Sequence, residues 1–427
     1  MTQDFTTLPA VHPNQGQPET PSAGRWFELA LLSLAQLMLI LDITVVNVAL
    51  PNLSRDLALH QDMAGWVIAA YGLPFGALML VGGRAADIFG ARRILIVGLL
   101  LFSVASLVAG FSANWPALIG SRVAQGIGAA LLSPSALASL TLRFIGAERA
   151  RALAVWGTVG GVGAAFGVLL GGLLTAGPGW RWIFFLNVPV GIAVVLLLLL
   201  VVPAVPQPRG HRSTDNLWRA AAALLLRRHI GAGSFVMLAA SALLVGGFFL
   251  LSFTMQDRLG WAPLPTGLAF LPVAIGTLIG AHLAGHMVMQ VGGRAVASLA
   301  FGLAALGFGV TALGPQSIPI LVGAITVVAF GTGTAFVAAT TTAMSHVKSH
   351  ETGLVAGLVN TFHELGGALG VAVLSVIMMA TTGGQQMGFG WSPAFMAAVV
   401  AAIGALVVAA LLVPSGTPPA DAPRFVH

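Results

Sequence analysis

A few ionisable residues lie inside the long apolar stretches of this 427-residue sequence, where a charge is unexpected, and two of them are the clearest. Asp42 is in the first stretch and Arg122 is in the fourth. A charged side chain at the centre of a bilayer costs roughly 2.5–3.5 kcal/mol on insertion scales, so such residues usually serve a function. Burial disfavours the charged form of a carboxyl group, whereas Arg stays protonated and can oppose that effect. This combination could take up and release a proton within a membrane.

The two residues are predicted to lie at a similar depth. Asp42 is about eight residues before the end of its stretch at Leu50, and Arg122 is about six residues after Pro116. At 1.5 Å per helical residue, these separations correspond to depths of roughly 12 and 9 Å from the same face. A direct or water-bridged pair is therefore expected. Two alternatives stay open: a neutral carboxyl bonded to a neighbouring helix, and an Arg whose side chain reaches toward the surface.

The composition is that of a membrane-embedded protein. Hydrophobic residues make up 57% and charged residues 7% of the chain, and the mean hydropathy is +0.94. Soluble domains have about 25% charged residues. We predict an all-α integral membrane protein with twelve transmembrane helices in two six-helix bundles. The predicted spans lie near residues 26–50, 63–83, 93–112, 116–140, 152–175, 182–203, 231–255, 264–289, 294–313, 317–340, 353–380 and 392–413.

The basic residues predict the orientation. Fifteen of the nineteen Lys and Arg residues fall in loops and tails on the side of the N-terminus, and three on the opposite side. Basic residues collect in cytoplasmic loops, so both termini are predicted to be cytoplasmic in a multi-pass protein of the cell membrane. The predicted segments are a disordered N-terminal tail (1–24), a first bundle (25–203), a cytoplasmic linker (204–230), a second bundle (231–413) and a C-terminal tail (414–427).

Several classes of function are excluded or disfavoured by what the sequence lacks. There are no cysteines, which excludes disulfides, thiolate metal sites and a Cys nucleophile. There is no GxxxxGK[ST] phosphate-binding loop, no credible Ser/His/Asp constellation and no metal triad. The net charge of +6 is explained by cytoplasmic loops and does not imply nucleic acid binding. We therefore expect no enzyme activity, no cofactor and no bound metal.

An internal repeat supports the division into two halves. Gly83, Gly90 and Arg92 follow the second span at the same offsets as Gly285, Gly292 and Arg294 follow the eighth. A Gly-x-Gly pair also recurs about 205 residues apart, at 126–128 and 331–333. Glycines are abundant in this chain, but the shared offset agrees with six spans in each half. Such repeats are typical of transporters that rock around a site near the midplane.

Four sequence segments resemble motifs of the major facilitator superfamily, and within it the drug/proton antiporters of the EmrB/QacA type. They are LDITVVNVALP from Leu41, RVAQGIGAA from Arg122, GRAADIFGARR from Gly83 and GTVGGVGAAFGVLLGGLL in the fifth span, the last followed by WRWIFFLNVPVG. The chain departs from the family pattern at three positions. Val168 replaces the proline of the antiporter motif, Ala85 replaces a Leu, and Ile88 replaces a basic residue. The branch usually has fourteen spans, whereas twelve are predicted here.

The resemblance implies roles for several of these residues. Asp42 and Arg122 would couple transport to protons. The loop after the second span would be a conformational latch formed by Gly83, Asp87, Gly90 and Arg92. The glycine-rich fifth span would carry the antiporter motif and pack closely against a neighbour, through Gly163, Gly167, Gly171 and Gly172. At i+4 spacing, the first three of these glycines share one helix face and allow close backbone contact.

Other polar residues inside the spans are weaker candidates for a substrate or proton site. They are Gln125, Tyr71, Asn47, His363 and Glu364. Glu364 could bind a proton or cation, or it could lie near the inner helix end and interact with Arg residues. His282 and His286 share a helix face but lack a third metal ligand, so a structural role at the inner mouth is favoured.

The predicted function is proton-coupled export of small lipophilic compounds by alternating access. The missing proline at Val168 keeps a second interpretation open, namely a proton-coupled symporter that imports a metabolite. The expected partners are a small-molecule substrate, protons and the lipid bilayer, and the protein is expected to be monomeric.

Overall fold

The computed structural model describes residues 22–59, 61–200, 217–314, 317–348, 351–382 and 391–416. Within these residues the chain is helical apart from short connections. Residues 1–21, 204–216 and 417–427, which belong to the predicted tails and linker, lie outside the described residues. The helices, in chain order, are α1 (Ser22–Asp56), α2 (Gln61–Phe89), α3 (Ala91–Phe111), α4 (Trp115–Arg143), α5 (Gly146–Ala176), α6 (Arg181–Leu200), α7 (Leu217–Leu225), α8 (Arg228–Phe253), a π-helical turn (Thr254–Arg258), α9 (Pro263–Ala269), α10 (Leu271–Ala312), α11 (Ile318–Met344), α12 (Thr352–Thr382) and α13 (Trp391–Leu412).

Eleven stretches of the described residues are long and apolar enough to cross a membrane. One of them, Pro263–Ala312, has 50 residues and contains two of the predicted spans. At 1.5 Å per residue it would measure roughly 75 Å if straight, more than twice the hydrocarbon thickness. Its backbone turns at Gly292, with φ 82° and ψ 158°. Both arms of α10 pack against α11, so the stretch forms two antiparallel spans joined at a kink.

Two ends of the molecule can be distinguished by their ion pairs. We call the end at which α1 begins the near end, and the end at which it finishes the far end. At the near end, a buried ion pair of 2.5 Å joins Glu28 of α1 to Arg143 of α4. At the far end, Asp56 accepts hydrogen bonds from Arg181 (2.6 Å) and from the Trp180 indole (3.0 Å). These contacts join α1 to α4 and to the start of α6.

The first half of the chain (α1–α6) contacts the second half (α8–α13) along two seams. The first seam is the packing of α2 against α12, where close contacts run from Gly65, beside Ser375, to Gly357, beside Leu80. The second seam lies near the far end, where α5 packs against α9 and α1 meets the π-helical turn. Gly72 of α2 shows how tight the first seam is, because a Cβ there would lie 2.9 Å from the Ala368 side chain.

The internal repeat of the sequence has a counterpart in the structure. Gly90 and Gly292 both have positive φ angles, 98° and 82°, a conformation that glycine adopts without steric cost. Two residues later in each half, an Arg donates a hydrogen bond to a backbone carbonyl at the end of that half's last helix. Arg92 donates to Leu198 and Arg294 donates to Val413. The two halves therefore close their near ends with equivalent bonds.

Candidate functional site

Asp42 and Arg122 are in direct contact in the interior of the first half. The guanidinium Nη1 of Arg122 donates a hydrogen bond to Oδ2 of Asp42. Asp42 is 1% exposed and Arg122 is completely buried. The Nε of Arg122 donates a further bond of 2.9 Å to the backbone carbonyl of Val67 in α2. The structure thus places the acid and the base that the sequence singled out in one buried pair.

Two amide side chains complete the coordination of the carboxylate. Gln125 Nε2 donates to Asp42 Oδ1 at 3.2 Å and to Ser106 Oγ at 2.7 Å. Asn187 Nδ2 donates to the same Asp42 oxygen at 3.3 Å. Gln125 Oε1 accepts from Arg122 Nη1 at 3.0 Å. The cluster therefore links α1, α3, α4 and α6. Arg122, Gln125 and Asn187 each donate to one carboxylate, an arrangement that offsets the cost of burying it.

Aromatic rings cover the guanidinium of Arg122. Its central carbon lies 4.5 Å from the ring centroid of Tyr71 and 5.8 Å from that of Phe184. Cation–π contacts of this kind are stronger when they are removed from water. Tyr71 is itself buried, and its hydroxyl has no hydrogen-bond partner among the residues that the structure describes. The Tyr71 ring therefore covers the guanidinium on the α2 side, and the Phe184 ring covers it on the α6 side.

The glycine stripe of α5 brings that helix close to α1, which carries Asp42. Gly163 faces Leu37, Gly167 faces Thr44 and Gly171 faces Val45. A Cβ on Gly171 would lie 2.9 Å from the carbonyl oxygen of Val45, a distance that real Cβ atoms do not adopt. By contrast, Gly172 points away from α1 toward α9. The i+4 spacing thus gives the close helix contact that it predicts, and the neighbour is α1.

A narrow crevice reaches Asp42 from between α1, α5 and α6. Its polar lining residues are Asp42 and Asn187. The remaining lining residues are Leu41, Val45, Leu170, Leu174, Ile183 and Leu186. The acid is therefore packed among helices but is not sealed on every side.

Among the residues that the structure describes, the four predicted latch residues show no ion pair or side-chain hydrogen bond between the two halves. Asp87 lies 3.7 Å from Arg84, one helical turn away, and its side chain is 64% exposed. Arg92 is used to close the end of α6. Gly83 has only Pro134 near the position of a Cβ, at 3.7 Å, so its surroundings do not demand a glycine. Gly90 does require one, because its φ is positive.

The remaining candidates are dispersed. Asn47 donates to the Ile43 carbonyl of its own helix at 2.9 Å. His363 and Glu364 lie 3.2 Å apart, and the His363 ring is 5.3 Å from that of Phe336 in α11. His282 and His286 have ring centroids 6.1 Å apart. The described residues contain no group of three His, Cys, Asp or Glu side chains that could hold a metal ion.

Two members of the Asp42 cluster, Asn187 and Ser106, are not predicted by the sequence analysis. Asn187 interrupts the apolar stretch WRWIFFLNVPVG, and an amide in such a stretch is a signal that could have identified it. Ser106 gives no such signal, because Ser is common in membrane helices and often bonds its own backbone.

A helical membrane protein with repeated halves and a buried acid–base pair has the features of a membrane transporter. The comparisons with known proteins agree. The family model for the Major Facilitator Superfamily matches residues 32–371 and, in a second match, 273–426. The chain belongs to this superfamily. It is therefore a transporter and not an enzyme, and it is a multi-pass protein of the cell membrane.

Similar proteins include two that are named for antibiotic resistance. The chain is 33% identical to the puromycin resistance protein pur8 of Streptomyces alboniger, with 95% of this chain and 94% of that protein covered. It is 30% identical to the lincomycin resistance protein of Streptomyces lincolnensis, covering 92% and 91%. The fold resembles the crystal structure of a bacterial homologue of the human lysosomal transporter Spinster in an inward-facing, occupied conformation. That comparison has a TM-score of 0.77 at 19% identity and covers 92% of this chain and 97% of the other.

Proposed function

We propose that this protein exports small lipophilic compounds in exchange for protons, by alternating access. The observation that carries the proposal is the buried Asp42–Arg122 pair, which lies inside a spanning region with amide donors arranged around it. A buried ion pair is weak support for a purely stabilising role, since burying two charges is costly. The names of similar proteins, which specify resistance to puromycin and lincomycin, favour drug-like substrates.

Protonation of Asp42 is the proposed coupling step. With a charged carboxylate, Arg122 and the two amides hold α1, α4 and α6 together. A proton on Asp42 removes the charge attraction to Arg122 and turns one carboxylate oxygen from an acceptor into a donor. The packing of α1 against its neighbours then weakens, which favours the other conformation. A proton entering from outside and leaving inside would drive the substrate in the opposite direction.

The contacts at the far end support alternating access, with the two halves acting as six-helix bundles. Asn52 of α1 donates to Gln256 of the π-helical turn at 2.8 Å, and Gln256 donates to the Val48 carbonyl at 2.7 Å. Arg55 lies 4.0 Å from Asp257. These five residues, which we call the far-end clamp, connect the halves. At the near end, Asp87 makes no such connection. We infer a state that is closed at the far end and open at the near end.

The near end is proposed to face the cytoplasm, together with both termini, because it carries most of the Lys and Arg residues.

A polar face of α12 is suited to a substrate cavity open to that side. Asn360 is exposed there and the His363 side chain is 40% exposed, whereas Leu369 and Val373 are exposed on an apolar face of the same helix. Polar side chains avoid lipid, so the polar face is assigned to a wet cavity between the halves. We propose that the protein transports its substrate as a monomer.

One feature favours a second candidate function, the import of a metabolite together with protons. Val168 stands in α5 where the antiporter motif of the resembled branch has proline, and it is fully packed at 1% exposure. A proline there would lack a backbone N–H and alter the helix. The direction of transport distinguishes the two functions.

The test is substrate accumulation in cells that overproduce the protein. A panel of lipophilic dyes and antibiotics is measured with and without a protonophore. Export predicts lower accumulation, which returns to the control level when the proton gradient is abolished. Higher accumulation would establish import. Counterflow of the same compound by the purified chain in liposomes would show that no partner protein is needed.

A further inference from the structure

The crevice beside Asp42 differs from the proposed substrate cavity in both position and size. It lies between α1, α5 and α6 within the first half, whereas the substrate cavity is assigned to the space between the halves. The space that the centre of a water molecule could occupy in it is about 10 Å³. That is close to the least volume that holds a single water molecule. A drug-sized compound needs a pocket of roughly 300–1,000 Å³, so the crevice suits water or a hydrated proton only.

The other sides of the Asp42 carboxylate are occupied. Arg122 from α4 and the Tyr71 ring behind it close the side of α2. Gln125 and Ser106, both fully buried, close the side of α3. Among the residues that the structure describes, the titratable side chains that face Asp42 are those of Arg122 and Tyr71. The described walls that α3, α5 and α6 present to the carboxylate add no titratable group.

Asn187 is placed to control what reaches the carboxylate through the crevice. It lines the crevice, is 5% exposed, and donates to Asp42 Oδ1 at 3.3 Å. Both this bond and its second bond, to Ser106 Oγ at 3.4 Å, are long for N–H···O hydrogen bonds. The bonds from Arg122 and Gln125 do not involve Asn187, so its amide can turn away while they remain. Of the groups on the carboxylate, Asn187 is the one at the open side.

The crevice also leads toward the far end. Ile183, one of its lining residues, is three residues after Trp180, whose indole donates to Asp56 at 3.0 Å. Asp56 is half exposed at the far end and is paired with Arg181. The start of α6 thus connects the far-end surface, through Trp180 and Ile183, to the lining of the crevice.

We propose that the crevice between α1, α5 and α6 is the route by which protons reach Asp42, and that Asn187 is the positioning residue that admits water to it. This inference rests on the proposed proton coupling. In the step itself, a hydrated proton in the crevice transfers its proton to Asp42 Oδ1, the Asn187 amide releases that oxygen, and a neutral water remains. Substrate and proton then enter the protein by separate routes, and both act on the same conformational change.

The test compares variants that alter the crevice with a matched control on the same helix. Leu170→Phe fills the crevice from α5, and Asn187→Leu removes the amide at similar volume. Leu173→Phe is the control, because Leu173 is three residues away and 54% exposed on the outer face of α5. Proton-gradient-driven uptake into proteoliposomes is measured across a pH series, beside counterflow at equal pH on both sides.

We expect Leu170→Phe and Asn187→Leu each to slow gradient-driven uptake by about tenfold or more and to shift its pH profile. Counterflow by Leu170→Phe, and both activities of the Leu173→Phe control, should stay within about twofold of the unmodified protein. Gradient-driven uptake that is unchanged in both variants would overturn the inference, and so would equal losses of uptake and counterflow in Leu170→Phe. If Asn187→Leu does not fold, Leu170→Phe decides alone. An unmodified protein with no proton dependence would instead refute the proposed function.

Discussion

The buried carboxylate of Asp42 is held by more donors than an ordinary helix contact requires. Arg122, Gln125 and Asn187 all donate to it. Removing one partner from a buried charged network costs more than the bond itself, because the remaining polar groups lose their compensation. The cluster is therefore a point at which small chemical changes have large effects on packing.

Gln125→Leu tests this network at the residue scale. Gln125 bonds to three partners, Asp42, Arg122 and Ser106, so its loss should lower the free energy of unfolding by about 2–4 kcal/mol. Ser106→Ala is the control, since it removes a neutral hydroxyl from the edge of the cluster and should cost about 1 kcal/mol. Thermal unfolding of the purified proteins in detergent measures both. Equal, small decreases of the unfolding temperature in the two variants would show that the network contributes little to stability.

Residues of the site were predictable to the extent that they break an apolar pattern. Asp42 and Arg122 do so strongly, and their similar depth follows from counting helical residues. That Gln125 and Asn187 both donate to Asp42 Oδ1 and to Ser106 Oγ depends on how four helices rotate about their axes. This rotation is set by side-chain packing between helices far apart in sequence, which no local pattern reports. For the same reason, the sequence could not show that Asp87 stays with Arg84.

At the scale of elements, the contact between α5 and α1 determines how closely the fifth span approaches the acid-bearing helix. Gly171→Ala should lower the free energy of unfolding by about 1–3 kcal/mol. The added Cβ would contact the Val45 backbone, which cannot move without disturbing α1. Gly160→Ala is the matched control on the same helix. It has no atom within 4 Å of a Cβ and should be neutral or stabilising by about 0.5–1 kcal/mol.

Unfolding temperatures in detergent measure both glycine variants. A lower temperature for Gly171→Ala, with an unchanged or higher one for Gly160→Ala, is the expected result. The same shift in both variants would mean that the stripe reflects composition and not close packing.

The far-end clamp predicts how the balance between conformations responds to Gln256→Ala. The variant loses two hydrogen bonds to α1, with Asn52 and with the Val48 carbonyl. At about 0.5–1.5 kcal/mol per bond, the closed state should be weakened by about 1–3 kcal/mol. Ser252→Ala is the control, because Ser252 accepts from Gln256 within its own half.

The distance between spin labels on Ala113→Cys and Ala262→Cys measures how far the two halves separate at the far end. Both positions are exposed there, one in each half. The chain has no native cysteine, so labelling is specific. Gln256→Ala should add longer distances that Ser252→Ala does not. Identical distance distributions in the two variants would show that the clamp does not hold the far end closed.

Element boundaries were predictable where glycine or proline interrupts the apolar pattern. The break predicted between residues 289 and 294 corresponds to the kink at Gly292. The separation of α9 from α10 was not predicted, although Pro272 lies inside the span predicted for residues 264–289. Its cause is local: Pro272 has no backbone N–H, so the helical hydrogen bonds are interrupted where α10 begins. The position of α9 against α5 depends on the contact between the halves.

At the scale of the whole molecule, the orientation in the membrane is a prediction from charge. Ala113, after α3, is at the far end, and Arg149, in the first turn of α5, is at the near end. A membrane-impermeant maleimide should label Ala113→Cys in intact cells. It should label Arg149→Cys only after the membrane has been permeabilised. The reverse pattern would contradict the cytoplasmic placement of the near end.

The overall architecture was more predictable than the state of the molecule. Twelve spans follow from hydropathy, and the repeat predicts that the halves are alike, which the equivalent bonds of Arg92 and Arg294 make visible. Which end is closed cannot be derived in this way. It depends on contacts such as Asn52–Gln256, whose partners are separated by 204 residues and whose residue types are ordinary at helix ends.

The most direct test of the account is gradient-driven uptake into everted membrane vesicles by Asp42→Asn. The amide keeps the size of the side chain but cannot take up a proton. We predict that an acidic vesicle interior drives substrate uptake by the unmodified protein and not by the variant, while counterflow at equal pH persists in both. Undiminished gradient-driven uptake by Asp42→Asn would contradict the assignment of proton coupling to this carboxylate.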